Sequence, residues 1–316
     1  MKVLITGASG FVGQILSESL LAEGHKVVLT DIVPPSIPAQ AVNKENGTTI
    51  QADLYEKPES VLSPDLDAIY VLHGIMSSGS EADFDLGYRV NLYSTLNLLE
   101  AVRKTCRNDV RVIYASSCAA YGQPLPEMPT EATLPTPSGS YGIQKGMIEL
   151  ILNDYNRKGF LTAFTVRLPS ISVRGGKPTQ AASAWMSSVI SLPLQKKEAI
   201  LPCADDFKCW LCSPRTLVKN LTLCLILPRD CMEPHIRQVL LPGVVATVGQ
   251  MMDALKAVGG EEVMQYVKRE DATPETKALL DSWPYQFDVS KALKIGFVPD
   301  PGFHVAVEDF AKTLKQ

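Results

Sequence analysis

An α/β fold, a doubly wound parallel sheet with a smaller C-terminal substrate-binding lobe, is what this sequence predicts. Three observations carry that reading. The chain opens on a short apolar run, Val3-Leu4-Ile5, followed by Thr6, by glycines at 7, 10 and 13, and by an apolar, helix-compatible stretch from Phe11 to Leu21. Short apolar segments then alternate with long segments of helical periodicity as far as Leu168. From Pro169 the alternation stops, and prolines at 193, 202, 214, 228, 234 and 242 break the chain into short pieces.

Val3 to Ile5 has the composition of a strand buried on both faces. The glycines let the next turn fold tightly and let its backbone approach a pyrophosphate, while the following helix N-terminus offers unpaired N–H groups to the anion. Gly7, Ser9, Gly10, Phe11, Val12 and Gly13 are therefore expected against a dinucleotide. Lys26 to Thr30 reads as a second strand, closing at Asp31-Ile32. A carboxylate there accepts hydrogen bonds from the adenosine ribose and repels a 2′-phosphate, which favours NAD over NADP. Residues 33–47 are rich in Pro, Asn and Gly and read as loop. Thr48 to Ala52 reads as a third strand, with the turn Asp53-Leu54 beside the adenine. Asp67 to His73 is a buried fourth strand, with His73 at its end facing the nicotinamide. Glu81 to Thr105 carries helical periodicity through Val90, Leu92, Leu96, Leu99 and Val102. Val110 to Ala115, Ser140 to Lys158 and Leu161 to Leu168 read as strand, helix and strand. Units of this length require right-handed crossovers and a Rossmann-type sheet. Residues 1–170 are expected to bind the dinucleotide. Residues 171–316 are expected to form mainly the substrate lobe, with some segments returning to the sheet. Residues 169–180 read as loop.

Of the 316 residues, 46% are hydrophobic and 20% charged, with a net charge of −4. This is an ordinary globular composition with no electrostatic reason to bind nucleic acid or an anionic membrane. No apolar run reaches bilayer-spanning length. A strand beginning almost at Met1 predicts no signal peptide, and seven irregularly spaced cysteines predict reduced thiols in the cytoplasm. Cys209 and Cys212 form one close pair with no second pair at a structural-zinc distance, so no metal is expected.

The chemistry gathers at Tyr141-Gly-Ile-Gln-Lys145. Spacing of four puts both side chains on one helical face. An ammonium beside a phenol is expected to lower its pKa, so that the tyrosine serves as general base or acid near neutrality. One strand–helix step earlier, Ser116-Ser117-Cys118 closes strand five, where Ser117 can hold the same substrate oxygen. Arg174 and Lys177 supply cations for a substrate carboxylate. Ser77, in the polar cluster after strand four, is a second wall for the pocket, and Cys118 lies beside Ser117.

Thr6–Gly13, Asp31, Asp53-Leu54, Asn91, Ser117 and Tyr141–Lys145 together resemble the extended short-chain dehydrogenase/reductase superfamily, the NAD-dependent epimerase/dehydratase family. The resemblance implies that Ser117 orients substrate, Tyr141 moves the proton, and Lys145 also holds the nicotinamide ribose. It implies that Asn91 supports the active-site helix and, with Leu168, counts among the cofactor-contacting residues. It further implies a homodimer built on helices 84–105 and 140–158. A narrower resemblance runs through residues 81–91, 173–178, 181–183, 213–215, 241–243 and 283–284 to the D-erythronate dehydrogenase subfamily. Its members oxidise the C2 hydroxyl of a four-carbon sugar acid with NAD. Gly175 and Thr179 depart from that subfamily's pattern. A dehydratase needs an acid pair where Cys118 and Ala119 stand. A nucleotide-sugar epimerase with tightly bound NAD, a carbonyl reductase of another small substrate and a non-catalytic NAD-binding protein remain alternatives.

Overall fold

Val3, Leu4 and Ile5 are fully buried in β1 (Lys2–Thr6), as a strand covered on both faces must be. The computed structural model of the chain describes residues 1–175 and 183–315. After β1 come α1 (Phe11–Ala22), β2 (Lys26–Asp31), β3 (Gly47–Gln51) and β4 (Ala68–Val71). The expected helix over 81–105 is interrupted. Asp83 is extended at φ −134° and its side chain accepts the Leu86 N–H, which starts a new turn. The segment becomes α2 (Ser77–Ala82), α3 (Phe84–Gly87), a π-helical turn (Tyr88–Tyr93) and α4 (Ser94–Thr105). A π turn adds a residue per turn, so a 3.6-residue pattern passes over it unseen. Ser77, expected from sequence as a wall of the pocket, opens α2.

β5 (Arg111–Ser117), α5 (Ser140–Arg157) and β6 (Thr162–Leu168) follow. Beyond them come β7 (Ser170–Ile171), α6 (Trp185–Ser191), β8 (Ala199–Leu201), β9 (Lys208–Cys212), α7 (Pro214–Leu223) and β10 (Gln238–Leu240). β7 lies in the stretch read as loop. It pairs with β9 over two residues only, Ser170 with Leu211 and Ile171 with Cys212, too short a strand to show a period. β11 (Val244–Thr247), α8 (Val248–Gly259), β12 (Val267–Arg269), α9 (Pro274–Asp281), α10 (Ser290–Ile295) and α11 (Phe303–Thr313) complete the order.

Among the described residues, seven strands form the main sheet in the order β10-β6-β5-β4-β1-β2-β3. The pairings β1–β2, β1–β4, β2–β3 and β4–β5 are parallel. The order reverses direction at β1, which sends helices to both faces and opens a crevice at the carboxyl ends of β1 and β4. The chain forms two compact units. The first comprises Met1–Ala120, Pro137–Arg167 and Val218–Val239; the second comprises Tyr121–Thr136, Leu168–Leu217 and Leu240–Gln316. In the first, Leu4, Ile69, Val71 and Val112 of the sheet pack with Leu98, Leu99, Ile148 and Leu152 of α4 and α5. In the second, Met186, Val189 and Ile190 pack with Leu211, Met251, Leu255 and Val307. That unit holds the sheets β11-β9-β7 and β12-β8.

Candidate active site

The glycine turn uses each glycine differently. Gly7 sits at φ +66°, and a Cβ there would lie 2.6 Å from the His73 nitrogen. At Gly13 a Cβ would lie 2.5 Å from the Gly7 oxygen, so α1 could not close onto the turn. Gly10 differs, because within 4 Å an added Cβ would meet only the Gly7 oxygen, at 3.2 Å. No side chain caps α1 and no acid stands in its first turn, which leaves the N–H groups around Phe11, Val12 and Gly13 for an anion. Asp31, at the end of β2, accepts the Ser9 N–H at 2.9 Å through one oxygen, and its other oxygen makes a long 3.4 Å contact with the Val33 N–H. Exposed Ile32 follows. These features fit the pyrophosphate and ribose of a dinucleotide.

The turn after β3 is stiffer than its sequence suggests. Asp53 accepts the Tyr55 N–H at 2.9 Å and an Arg89 N–H at 3.2 Å. Arg89 also donates to Glu56 at 2.8 Å and lies 4.0 Å from the Tyr55 ring centroid. Leu54 is buried beneath. Sequence reading missed Arg89, which the π turn aims back at this loop.

His73 and Asn91 act as braces. The His73 ring nitrogens meet Thr6 Oγ1 at 2.8 Å and Thr95 Oγ1 at 3.2 Å. Burial, then the nearby Lys145 ammonium, holds the imidazole down to about 3, so it is neutral. Asn91 is 2% exposed. Its oxygen accepts the Ile75 N–H at 2.8 Å, and its nitrogen donates towards Ile75 O, Ser80 Oγ and Gln144 Oε1 at 3.0, 3.0 and 2.7 Å. Its amide is thus engaged in tying the loop after β4 to α5.

Ser117, Tyr141 and Lys145 come together where α5 crosses the end of β5. The Ser117 hydroxyl lies close enough to the Tyr141 phenol to favour its ionised form. Lys145 Nζ donates to the Ala115 carbonyl at 2.8 Å and lies 5.5 Å from the Tyr141 ring centroid. Gly142 allows this approach, since a Cβ there would fall 2.0 Å from the Ala119 oxygen. The electrostatics differ from the sequence expectation. Burial pushes the Tyr141 phenol up to about 12, with the Ser117 hydroxyl only partly opposing it. Burial also pulls Lys145 down to about 8, against the field of Glu149. In this structure desolvation, not the lysine cation, sets the direction of the phenol's shift.

The other expected site residues are spread. Cys118 follows Ser117, half-buried, and Leu168 ends β6. Arg174 lies in the second unit; its backbone N–H donates to Ser187 Oγ at 2.5 Å, and burial lowers its guanidinium pKa. Lys177 lies outside the described residues. Sequence reading also missed Glu149 and Arg167, which pair beneath α5 with Nη2–Oε2 at 2.6 Å. Glu149 stands four residues beyond Lys145, the one signal that pointed to it.

Residues 3–205 match the model of the NAD dependent epimerase/dehydratase family. The chain belongs to that family. It is 38% identical to a D-erythronate dehydrogenase of Haemophilus influenzae, with 98% of each chain covered. It is 35% identical to a D-erythronate dehydrogenase of Cupriavidus necator, again with 98% of each covered. Among solved structures, a nucleoside-diphosphate-sugar epimerase of Agrobacterium tumefaciens superposes with a TM-score of 0.88 at 34% identity, over 97% of this chain and 92% of that one.

The glycine turn yields a paired test. Gly10→Ala should keep the fold, with a melting temperature near that of the parent, and weaken NAD binding about tenfold or more by filling the pyrophosphate's approach. Gly7→Ala should lower stability itself by roughly 1–3 kcal/mol, from left-handed backbone and the contact with His73. Calorimetric NAD titration and thermal melts separate the two, and unaltered NAD affinity in Gly10→Ala would contradict the assignment.

Proposed function

We propose that this enzyme oxidises the C2 hydroxyl of a small sugar acid, D-erythronate or a near relative, to the 2-oxo acid with NAD. The observation that carries the reading is the full-length similarity to two D-erythronate dehydrogenases, in a chain whose Ser117, Tyr141 and Lys145 converge at one point. The substrate hydroxyl would lie between Ser117 Oγ and the Tyr141 oxygen. Tyr141 removes the hydroxyl proton in its ionised form, which burial makes the minor one, and Ser117 donates to the oxygen as it becomes a carbonyl. Lys145 stabilises the phenolate and holds the nicotinamide ribose. When bound, NAD supplies the hydride acceptor. Gly7, Ser9, Gly10, Phe11, Val12 and Gly13 would hold its pyrophosphate, Asp31 and Ile32 its adenosine ribose, and Asp53 and Leu54 its adenine. His73, Asn91 and Leu168 would line the nicotinamide end.

A hydroxy acid needs a cation for its carboxylate. Arg174, with Lys177, is proposed for that role; a partly desolvated guanidinium grips a carboxylate more strongly than one in water. Ser77 and Cys118 complete the proposed pocket.

A cytoplasmic homodimer is part of the same proposal. None of the seven cysteines forms a disulfide. Phe84 and Leu150 are 57% and 67% exposed, and Leu86, Tyr93 and Ile143 are exposed beside them in sequence on 84–105 and α5, apolar area suited to a second copy. No helix of the described residues is long and apolar enough to cross a membrane.

The epimerase neighbour at 34% identity favours a second reading, in which bound NAD is regenerated each cycle. The two part on one assay. Incubation with D-erythronate and NAD should build up NADH steadily, whereas interconversion of nucleotide sugars without net NADH would overturn the dehydrogenase reading. Tyr141→Phe should cut kcat by about 10²- to 10⁴-fold with NAD affinity kept, and a near-normal rate would remove Tyr141 from its role. Arg174→Ala should raise KM for the acid about tenfold or more, as loss of a hydrogen bond to a charged group implies, and leave a neutral alcohol analogue unaffected; equal loss on both would refute carboxylate binding.

A further inference from the structure

Tyr141, Lys145 and Glu149 follow one another at four-residue steps along one face of α5. Three consecutive residues of β5 meet them. Ala115 O accepts from Lys145 Nζ at 2.8 Å, Ser116 Oγ donates to Glu149 Oε1 at 2.5 Å, and the Ser117 hydroxyl lies beside the Tyr141 phenol. Arg167 of β6 closes the arrangement with two parallel bonds to Glu149, Nε to Oε1 at 2.9 Å and Nη2 to Oε2 at 2.6 Å. Glu149 and Arg167 are 1% and 2% exposed. A buried ion pair is weak as a source of stability, because well-packed apolar residues commonly do as well.

We propose that Glu149, anchored by Arg167 and Ser116, is a positioning residue for the reaction: it sets the register of α5 against β5 and supplies the negative field in which the Lys145 ammonium sits. The catalytic part of this rests on the dehydrogenase reading above. The groups facing Lys145 are His73 from the segment after β4, Tyr114 from β5, and Tyr141 and Glu149 from its own helix. Tyr114 and Arg167 also face Glu149. His73 is neutral above about 3, and burial raises both phenols. Among the described residues facing Lys145, Glu149 is therefore the one that opposes the lysine's lowered pKa.

The test reads the protonation of Lys145 in two ways. Below about 8 the lysine is protonated in both the folded and the unfolded chain, so it adds no slope to stability. Between about 8 and its ordinary 10.5 the unfolded chain holds a proton that the folded chain has lost, so stability rises with pH. In Glu149→Gln the rise should begin about one pH unit lower, and adding Lys145→Met should abolish it. Glu149→Gln with Arg167→Met leaves no unpaired buried charge and should shift in the same direction by less. In the assay, the parent's kcat/KM for the acid should climb with pH and level near 8, where Lys145 sheds its proton as fast as Tyr141 does. Glu149→Gln should level about one unit earlier, a plateau about tenfold lower. A lower melting temperature with both profiles unmoved in the folded double variant overturns the proposal, since a purely structural pair predicts that result. The urea-unfolding series needs no substrate, so a parent chain inert towards D-erythronate would count against the activity alone.

Discussion

The structure turns on how closely α5 is seated against the end of β5. Ala115, Ser116 and Ser117 each engage one step of the helix, at Lys145, Glu149 and Tyr141. A strand advances about 3.3 Å per residue and a four-residue helical step about 6 Å, so one-to-one pairing of this kind is not automatic. It requires the helix to cross the strand end at very short range. Gly142 allows that range by leaving room for the Ala119 carbonyl. Tyr141, Lys145 and Glu149 thereby become a row of buried groups in which desolvation raises the phenol and lowers the lysine, the latter opposed by Glu149.

The proposed dinucleotide side is tied to this seat by hydrogen bonds between polar side chains, four of which, Thr6, Asn91, Thr95 and Gln144, are fully or almost fully buried. Thr6, just before the glycine turn, bonds His73, and His73 bonds Thr95 of α4. Asn91, in the π turn, joins the loop after β4 to Gln144 of α5. The π turn is what rolls Asn91 inward and Arg89 back towards Asp53. Few buried polar groups of this kind are tolerated unless they are satisfied, and here they hold the proposed cofactor side and the proton-transfer side in one frame.

Much of this was legible in the residues themselves. Val3 to Ile5 followed by Gly7, Gly10 and Gly13 specified strand, turn and helix, because backbone sterics at those glycines admit few other solutions. Tyr141 and Lys145 were visible through helical spacing together with Ser117 one strand earlier. The interruption of the 81–105 helix was not, because Asp83 acts as a cap only once its neighbours have turned, and a π turn leaves no periodic trace. The direction of the Tyr141 shift was misjudged for a related reason. Spacing shows which charges are near, while burial depends on everything packed above them, and at Tyr141 burial is the larger effect. Arg167 lies in a strand whose apolar pattern gave no hint of a partner across the sheet–helix interface.

The seat itself can be tested by Gly142→Ala. An added methyl cannot sit 2.0 Å from the Ala119 oxygen, so α5 must draw away from β5, while the glycine turn and Asp31 stay as they are. The account predicts a folded protein with near-parental NAD affinity whose kcat falls about 100-fold, the loss expected from a displacement on the order of 1 Å at the reacting groups. Near-parental kcat in that variant would contradict the claim that this contact builds the site.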